Sequence, residues 1–338
     1  NYLLSHSQYN TRLGDTTVVF WADAPRETMD MEAFLFGSVT ADKPLPPAVD
    51  RTTLDKISKI TNLLRKGELS KSKLDDADVP FFILGISPNA SRLFIRFWNQ
   101  STFGKLMENI QAHYRDISLA RQWTEENSKH PDPELPKPYD ILKETVRDAK
   151  EIPSLYSGVL MKSILFRLPY PDIIAQAIIR RCRIDKNINY IRCSFLKGWL
   201  YRKTNNHDLT TMQTINPDNH NIGYLLGRLF AIYVKTQEDA LGHNLNRTIR
   251  DSYFSSMSAH PRSVLPTINK LYQHHLRLIK QNHGEGAKIN REKLVQEIKS
   301  HMPDIPPAHL GLEQQAYFDL GFYHQMNDFF TSKDKEAS

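Results

Sequence analysis

Two hydrophobic rhythms divide this chain, and a proline-rich stretch stands between them. After Pro138 apolar residues return every three or four positions with few interruptions, which restricts that part to helices packed on helices. Before Thr124 the signals are mixed. The stretch "TEENSKHPDPELPKP", Thr124 to Pro138, is polar and without period, so it predicts a domain boundary.

In the first part, "DTTVVFWAD" (Asp15 to Asp23) and "VPFFILGI" (Val79 to Ile86) are short β-branched and aromatic runs that read as strands. "SRLFIRFW" (Ser91 to Trp98) follows across "SPNA", a polar turn of the hairpin kind. Leu54, Ile57, Ile60 and Leu64 space one apolar face of a helix between them. The expected fold class is α+β and predominantly helical, a small mixed α/β portion followed by a C-terminal helical bundle. The expected division is 1–123 for the α/β portion, 124–138 for the linker, 139–211 for a basic helical segment, 212–330 for the bundle and 331–338 for a flexible tail.

Within the helical part, Ile184, Ile188, Ile191, Phe195 and Trp199 predict one stripe, and Ile222, Leu225, Leu226, Leu229, Phe230 and Tyr233 another. Gly223 and Gly227 on the second are better read as close helix packing than as a ligand loop. A helix from Ser263 to about Asn282 puts Val264, Ile268, Leu271, Tyr272, His275 and Ile279 on one side and Lys270, His274 and Arg277 on the other. "GEGAK", Gly284 to Lys288, reads as a turn, and a last helix carries Leu312, Ala316, Leu320, Tyr323 and Phe330.

The 338 residues carry a formal charge of +6, a modest excess whose location matters more than its size. Residues 1–130 hold sixteen Lys and Arg against sixteen Asp and Glu, residues 131–211 fourteen against nine, and residues 212–338 fourteen against thirteen. In the middle part Arg180, Arg181, Arg183, Lys186, Arg192, Lys197, Arg202 and Lys203 face only Asp185. A second group, Arg247, Arg250, Arg262, Lys270, Arg277 and Lys280, faces only Asp251. One-sided basic segments ask for an anionic neighbour, and Tyr190, Lys197 and Tyr201 would form an outer face that offers both cations and rings to a nucleic acid. With His274 added from the cationic side of its helix, the lysines and arginines of the two groups, other than Lys186, are the candidate nucleic-acid ligands.

Other chemistry finds little support. Cys182 and Cys193 have no CxxC spacing and make neither a disulfide framework nor a thiolate metal site alone, which fits a reducing cytoplasm. His207 and Asp208 form the dipeptide of metal-dependent phosphohydrolases but stand in a polar loop without further ligands in register. The chain has no Walker loop, no GxSxG elbow and no HExxH. No apolar run approaches the roughly 18 residues of a membrane span. The expectation is a non-catalytic protein with no cofactor, no metal and no membrane contact. The opening Asn1 suggests part of a longer protein or a processed one.

The strings "DTTVVFWAD", "ILGISPNASRLFIRFW", "NIGYLLGRLFAIY", "TIRDSYFSSMSAHPRSVLPTINKLYQHHLRLI" and "LGFYHQMNDFF" resemble the large subunit of the type I-C CRISPR surveillance complex, Cascade, in order from about Asn1 to Phe330. Members of that family are longer at the N-terminus, so this chain resembles the middle and C-terminal portion. The resemblance implies a prokaryotic, cytoplasmic, RNA-guided complex in which guide RNA pairs with target DNA while protein contacts backbones and the displaced strand. It implies as partners the backbone, guide-end and small subunits, and a helicase-nuclease recruited after target binding. It also implies a small subunit made from an internal start, for which Met212 is the candidate.

The sequence departs from the family pattern "TIRDRYFSSASATP" at Ser252, Met257 and His260, and from "LGYYHQRQDFF" at Phe322 and Met326. The lost charges at Ser252 and Met326 speak against phosphate contact there. The rival reading is a protein–protein assembly module whose basic faces meet acidic protein and touch no nucleic acid.

Overall fold

The computed structural model describes residues 11–13, 16–21, 80–89, 92–242 and 246–336. The helix expected around Leu54 to Leu64 lies outside them. The described part is predominantly helical, with a single small sheet. It divides into two units, residues 1–115 with 134–171 and residues 116–133 with 172–338. The proline-rich stretch 124–138 thus contributes to both. In the second unit it is a pinned loop: Asp132 Oδ2 accepts from the amides of Gln122 (3.2 Å) and Trp123 (3.0 Å), and Arg121 donates to the Asp132 carbonyl at 3.0 Å.

The first unit holds an antiparallel sheet in the order β1 (Thr11–Leu13), β2 (Thr16–Trp21), β3 (Pro80–Asn89) and β4 (Arg92–Thr102). The β3–β4 hairpin is longer than expected, because pairing continues to Asn89↔Arg92 and takes in most of "SPNA". A bulge follows Gly85, which pairs with Phe97. A Cβ at Gly85 would stand 2.3 Å from the Phe97 ring, so the missing side chain makes room for that ring. Helices α1 (Phe103–Ile117), α2 (Pro138–Lys143) and α3 (Ser154–Leu165) supply the apolar core, with Leu106, Ile141, Leu142, Leu160 and Ile164 buried. Two buried polar side chains tie its elements together: Asn109 Nδ2 donates to the Leu165 carbonyl at 2.7 Å, and His113 Nδ1 meets the Tyr170 hydroxyl at 2.5 Å.

The second unit contains α4 (Asp172–Asp185), α5 (Tyr190–Thr204), the single turn α6 (Asp208–Thr211), α7 (Ile222–Leu241), α8 (Ile249–Met257), α9 (Pro261–Ser300) and α10 (Leu312–Glu336). α7 is surrounded, packing on α8, α9 and α10; the one-sided stripe expected of it becomes a helix buried on nearly every side. A Cβ at Gly223 would lie 2.1 Å from the Gln314 carbonyl oxygen, one at Gly227 2.1 Å from that of Phe318, and one at Gly321 2.2 Å from that of Tyr224. These contacts advance together along both chains, so α7 and α10 run in the same direction with their backbones in contact. Two parallel helices need a long connection, and α8 and α9 provide it.

The stripe expected to run unbroken from Ile184 to Trp199 is interrupted. α4 ends at Asp185 and Lys186 takes φ 53°, which leaves Ile184 55% exposed while Ile188, Phe195 and Trp199 are buried. α9 is likewise two arms, because Gly284 (φ 87°, ψ 171°) breaks it at the "GEGAK" turn. The arms fold back on each other: Tyr272 Oη donates to the Arg291 carbonyl at 3.2 Å and Lys299 Nζ to Asn269 Oδ1 at 3.4 Å. α10 continues to Glu336, through most of the expected tail. Met212 is buried, and α4 and α5, which precede it, both pack on α10.

The close approach at the glycines gives a paired expectation. Gly227→Ala must push Cβ into the Phe318 backbone and should cost about 1–3 kcal/mol, whereas Gly286→Ala, with nothing within 4 Å, should add about 0.4–1 kcal/mol. Urea unfolding of both variants checks the contrast; equal midpoints would contradict the close approach.

Candidate nucleic-acid interface

The first arm of α9, residues 261–283, has the two faces that its sequence predicts. Ile268, Tyr272, His275, Leu276 and Ile279 are buried, and Arg262, Lys270, His274, Arg277 and Lys280 are exposed. At 100° per residue the five exposed side chains fall within about 120° of arc and span about 27 Å of helix. No Asp or Glu occurs between Asp251 and Glu285. Asp251 itself is spent on the start of α8, where its carboxylate accepts from the Thr248 amide at 3.0 Å and Thr248 Oγ1 accepts from the Asp251 amide at 3.0 Å. The Thr248 hydroxyl, which donates to the same carboxylate at 2.7 Å, and then the amide hold that carboxyl below the usual carboxylate range.

Along the stripe, Lys270 and Arg277 make no ion pair among the described residues. Arg262 Nε donates to the Pro306 carbonyl at 2.8 Å, which fixes its stem and leaves its charge unneutralised. Lys280 is paired across the turn with Glu285 at 2.5 Å. Arg180 on α4 and Arg247 before α8 are also exposed and have no ion pair among the described residues.

The remaining candidates are engaged by the protein itself. Tyr190 and Lys197 are buried, so the outer face expected of α5 is an inner one; α5 lies between α4 and α10, and its cations are taken up by protein. Arg192 bridges to Asp185 at 2.7 Å and donates to the Asn187 carbonyl at 2.9 Å. Arg181 binds the same Asp185 oxygen at 2.7 Å. Lys197 Nζ donates to the Ser118 carbonyl, and burial lowers its pKa to about 8. Arg202 meets Asp116 at 2.8 Å, both side chains buried. Arg183 is half-buried near Asp319. Lys203 is exposed but lies over the Trp199 ring at 4.9 Å and binds Asp172 at 2.8 Å.

Arg250 is also engaged. Its Nε donates to the Lys186 carbonyl at 2.5 Å, its Nη2 to Asn187 Oδ1, and its guanidinium lies 5.6 Å from the centre of the Phe322 ring. Burial pulls its pKa below the usual guanidinium range. This arginine joins the two basic segments as an internal strut. Phe254, one turn further along α8, is fully buried against Phe230, Phe318 and Phe322.

Charge counting missed an interior polar layer whose members lie far apart in sequence. Arg228 donates to Gln325 Oε1 at 3.1 Å and to Glu297 at 3.4 Å, and the Tyr224 hydroxyl meets His324 Nδ1 at 2.9 Å. Burial, assisted by the charges of Lys197 and Arg228, lowers His324 to about 3 and keeps it neutral. Burial also pushes the Asp319 carboxyl up to about 8, against a Cys182 hydrogen bond and the charges of Arg192 and Arg183, which pull it down. Cys182 and Cys193 are free and fully buried, and burial raises both thiols well above their ordinary value.

Asp319 therefore holds its proton more tightly in the fold than in the unfolded chain. Its contribution to stability is complete at acid pH and is lost as pH rises from about 4 to about 8. Asp319→Asn should remove that decline, read as the urea midpoint between about pH 5 and pH 8. A decline of the same size in the variant would assign it to another group.

Among the described residues no helix is long and apolar enough to cross a membrane, and no group of three or more His, Cys, Asp or Glu side chains gathers as a metal site. A search of curated proteins finds no match. The family model for CRISPR-associated protein (Cas_Csd1) matches residues 1–330, nearly the whole chain. On that match the chain belongs to the CRISPR-associated Cas_Csd1 family.

Proposed function

We propose that this protein is the non-catalytic large subunit of a type I-C RNA-guided interference complex in the prokaryotic cytoplasm, and that it contacts target DNA, the displaced strand included, through the outer stripe of α9. The observation that carries this reading is the exposed row Arg262, Lys270, His274 and Arg277 on a helix arm without acids. Such a row neutralises successive phosphates and displaces their condensed counterions. Guide RNA, the backbone, guide-end and small subunits, and a helicase-nuclease recruited after target binding are the partners that the family suggests. Arg247, exposed and without an ion pair among the described residues, is a secondary candidate on the same chemical ground.

The corresponding experiment compares assembled complexes. Replacing Lys270 and Arg277 together by alanine should reduce the slope of log affinity against log salt by about 0.7 for each phosphate of single-stranded DNA that is no longer neutralised, with helicity unchanged. Arg250→Ala is the control: it removes an internal strut and should lower the melting temperature without changing the slope. An unchanged slope in the double variant overturns the phosphate role of α9 and favours the assembly-module reading.

A further inference from the structure

α4 presents a face that the nucleic-acid reading leaves unused. Ile173 and Ile184 are 42% and 55% exposed, and Ala177 is half-buried between them. With Arg180 they fall within about 60° of arc and cover about 16 Å of helix. The opposite side of α4, Ile174, Ala175, Ile178 and Cys182, is buried. Isolated exposed apolar residues need no explanation, but two isoleucines in line on one helix, with an arginine between them, form a patterned ridge.

The charge in that ridge is uncompensated. Arg181 next to it is held by Asp185 at 2.7 Å, and Arg183 lies near Asp319. Arg180 is exposed and has no ion pair among the described residues. We infer that this ridge docks an amphipathic helix of a partner protein, one that carries a carboxylate between apolar residues. The isoleucines would enter the grooves of that helix, and the carboxylate would meet Arg180 in a partly desolvated pair. A nucleic acid would satisfy the arginine and leave the isoleucines in water. A second copy of this chain, paired across a two-fold axis, would set Arg180 against its own equivalent. Charge complementarity therefore selects an acidic, amphipathic helical partner.

The test uses the assembled complex. A photoreactive benzoylphenylalanine in place of Ile184 should crosslink to a helical, carboxylate-bearing segment of one partner protein. Arg180→Glu should reduce retention of that partner about tenfold, and reversing the crosslinked carboxylate to lysine should restore it. Both positions are exposed, so the circular dichroism and melting temperature should stay at the parent values; Ile184→Asp serves as a second variant with the same expected loss. Crosslinks to nucleic acid or to a second copy, no crosslink at all, or unchanged retention in both variants would overturn the proposal. Its readout is subunit stoichiometry, whereas the α9 stripe is read by a salt slope, so either proposal can fail alone.

Discussion

Three missing side chains hold the larger unit together. Gly223, Gly227 and Gly321 let α7 and α10 run parallel with carbonyl oxygens of one helix where a Cβ of the other would stand. At that separation the flanking rings of Phe230, Phe254, Phe318 and Phe322 come within 5.5 to 6.0 Å of one another. The parallel direction in turn requires the excursion through α8 and α9, and so places the basic arm of α9 on the outside of the unit.

The cations of this chain accordingly serve two purposes. Arg192, Lys197, Arg202, Arg228 and Arg250 tie helices together from within, each bound to a carboxylate, an amide or a carbonyl. Arg202 and Asp116 are buried on both sides, so removing either partner leaves a buried charge uncompensated, at about 3–5 kcal/mol. Arg262, Lys270 and Arg277 stand in solvent, where their removal costs the fold little. Under the proposed function, a loss of nucleic-acid binding would be interpretable as a contact effect at the second set and as a folding effect at the first.

Much of this was legible in the sequence. Helical spacing alone separated His275 from His274 and put Lys270 and Arg277 opposite the core, because a surface helix writes both faces into one short window. Gly223 and Gly227 were readable as a packing pair because their four-residue spacing puts both on one face of a helix. The fate of Lys197 and Arg202 was not readable: their partners, Ser118 and Asp116, lie 79 and 86 positions away, and a count of charges within a segment sees neither. Gly321 could not be read in the same way, because its meaning depends on Tyr224, a residue of another helix. The break at Lys186 was hidden by a hydrophobic period that happens to continue across it.

The second arm of α9 is tied down as firmly as the first: Arg291 reaches Asp239 at 2.6 Å, Asp239 also accepts from Lys235 at 2.5 Å, and Asn282 donates to the Ala240 carbonyl at 3.2 Å. With both arms anchored, the outer charges sit on a stiff rule. Along it Arg262, Lys270 and Arg277 are separated by about 12 Å and about 10 Å of helix rise, more than the ionic atmosphere's reach of about 8 Å at physiological salt. Neighbouring cations are thereby hidden from each other by small ions in the unbound protein, which is why a row of them can do without intervening acids and still not repel itself apart.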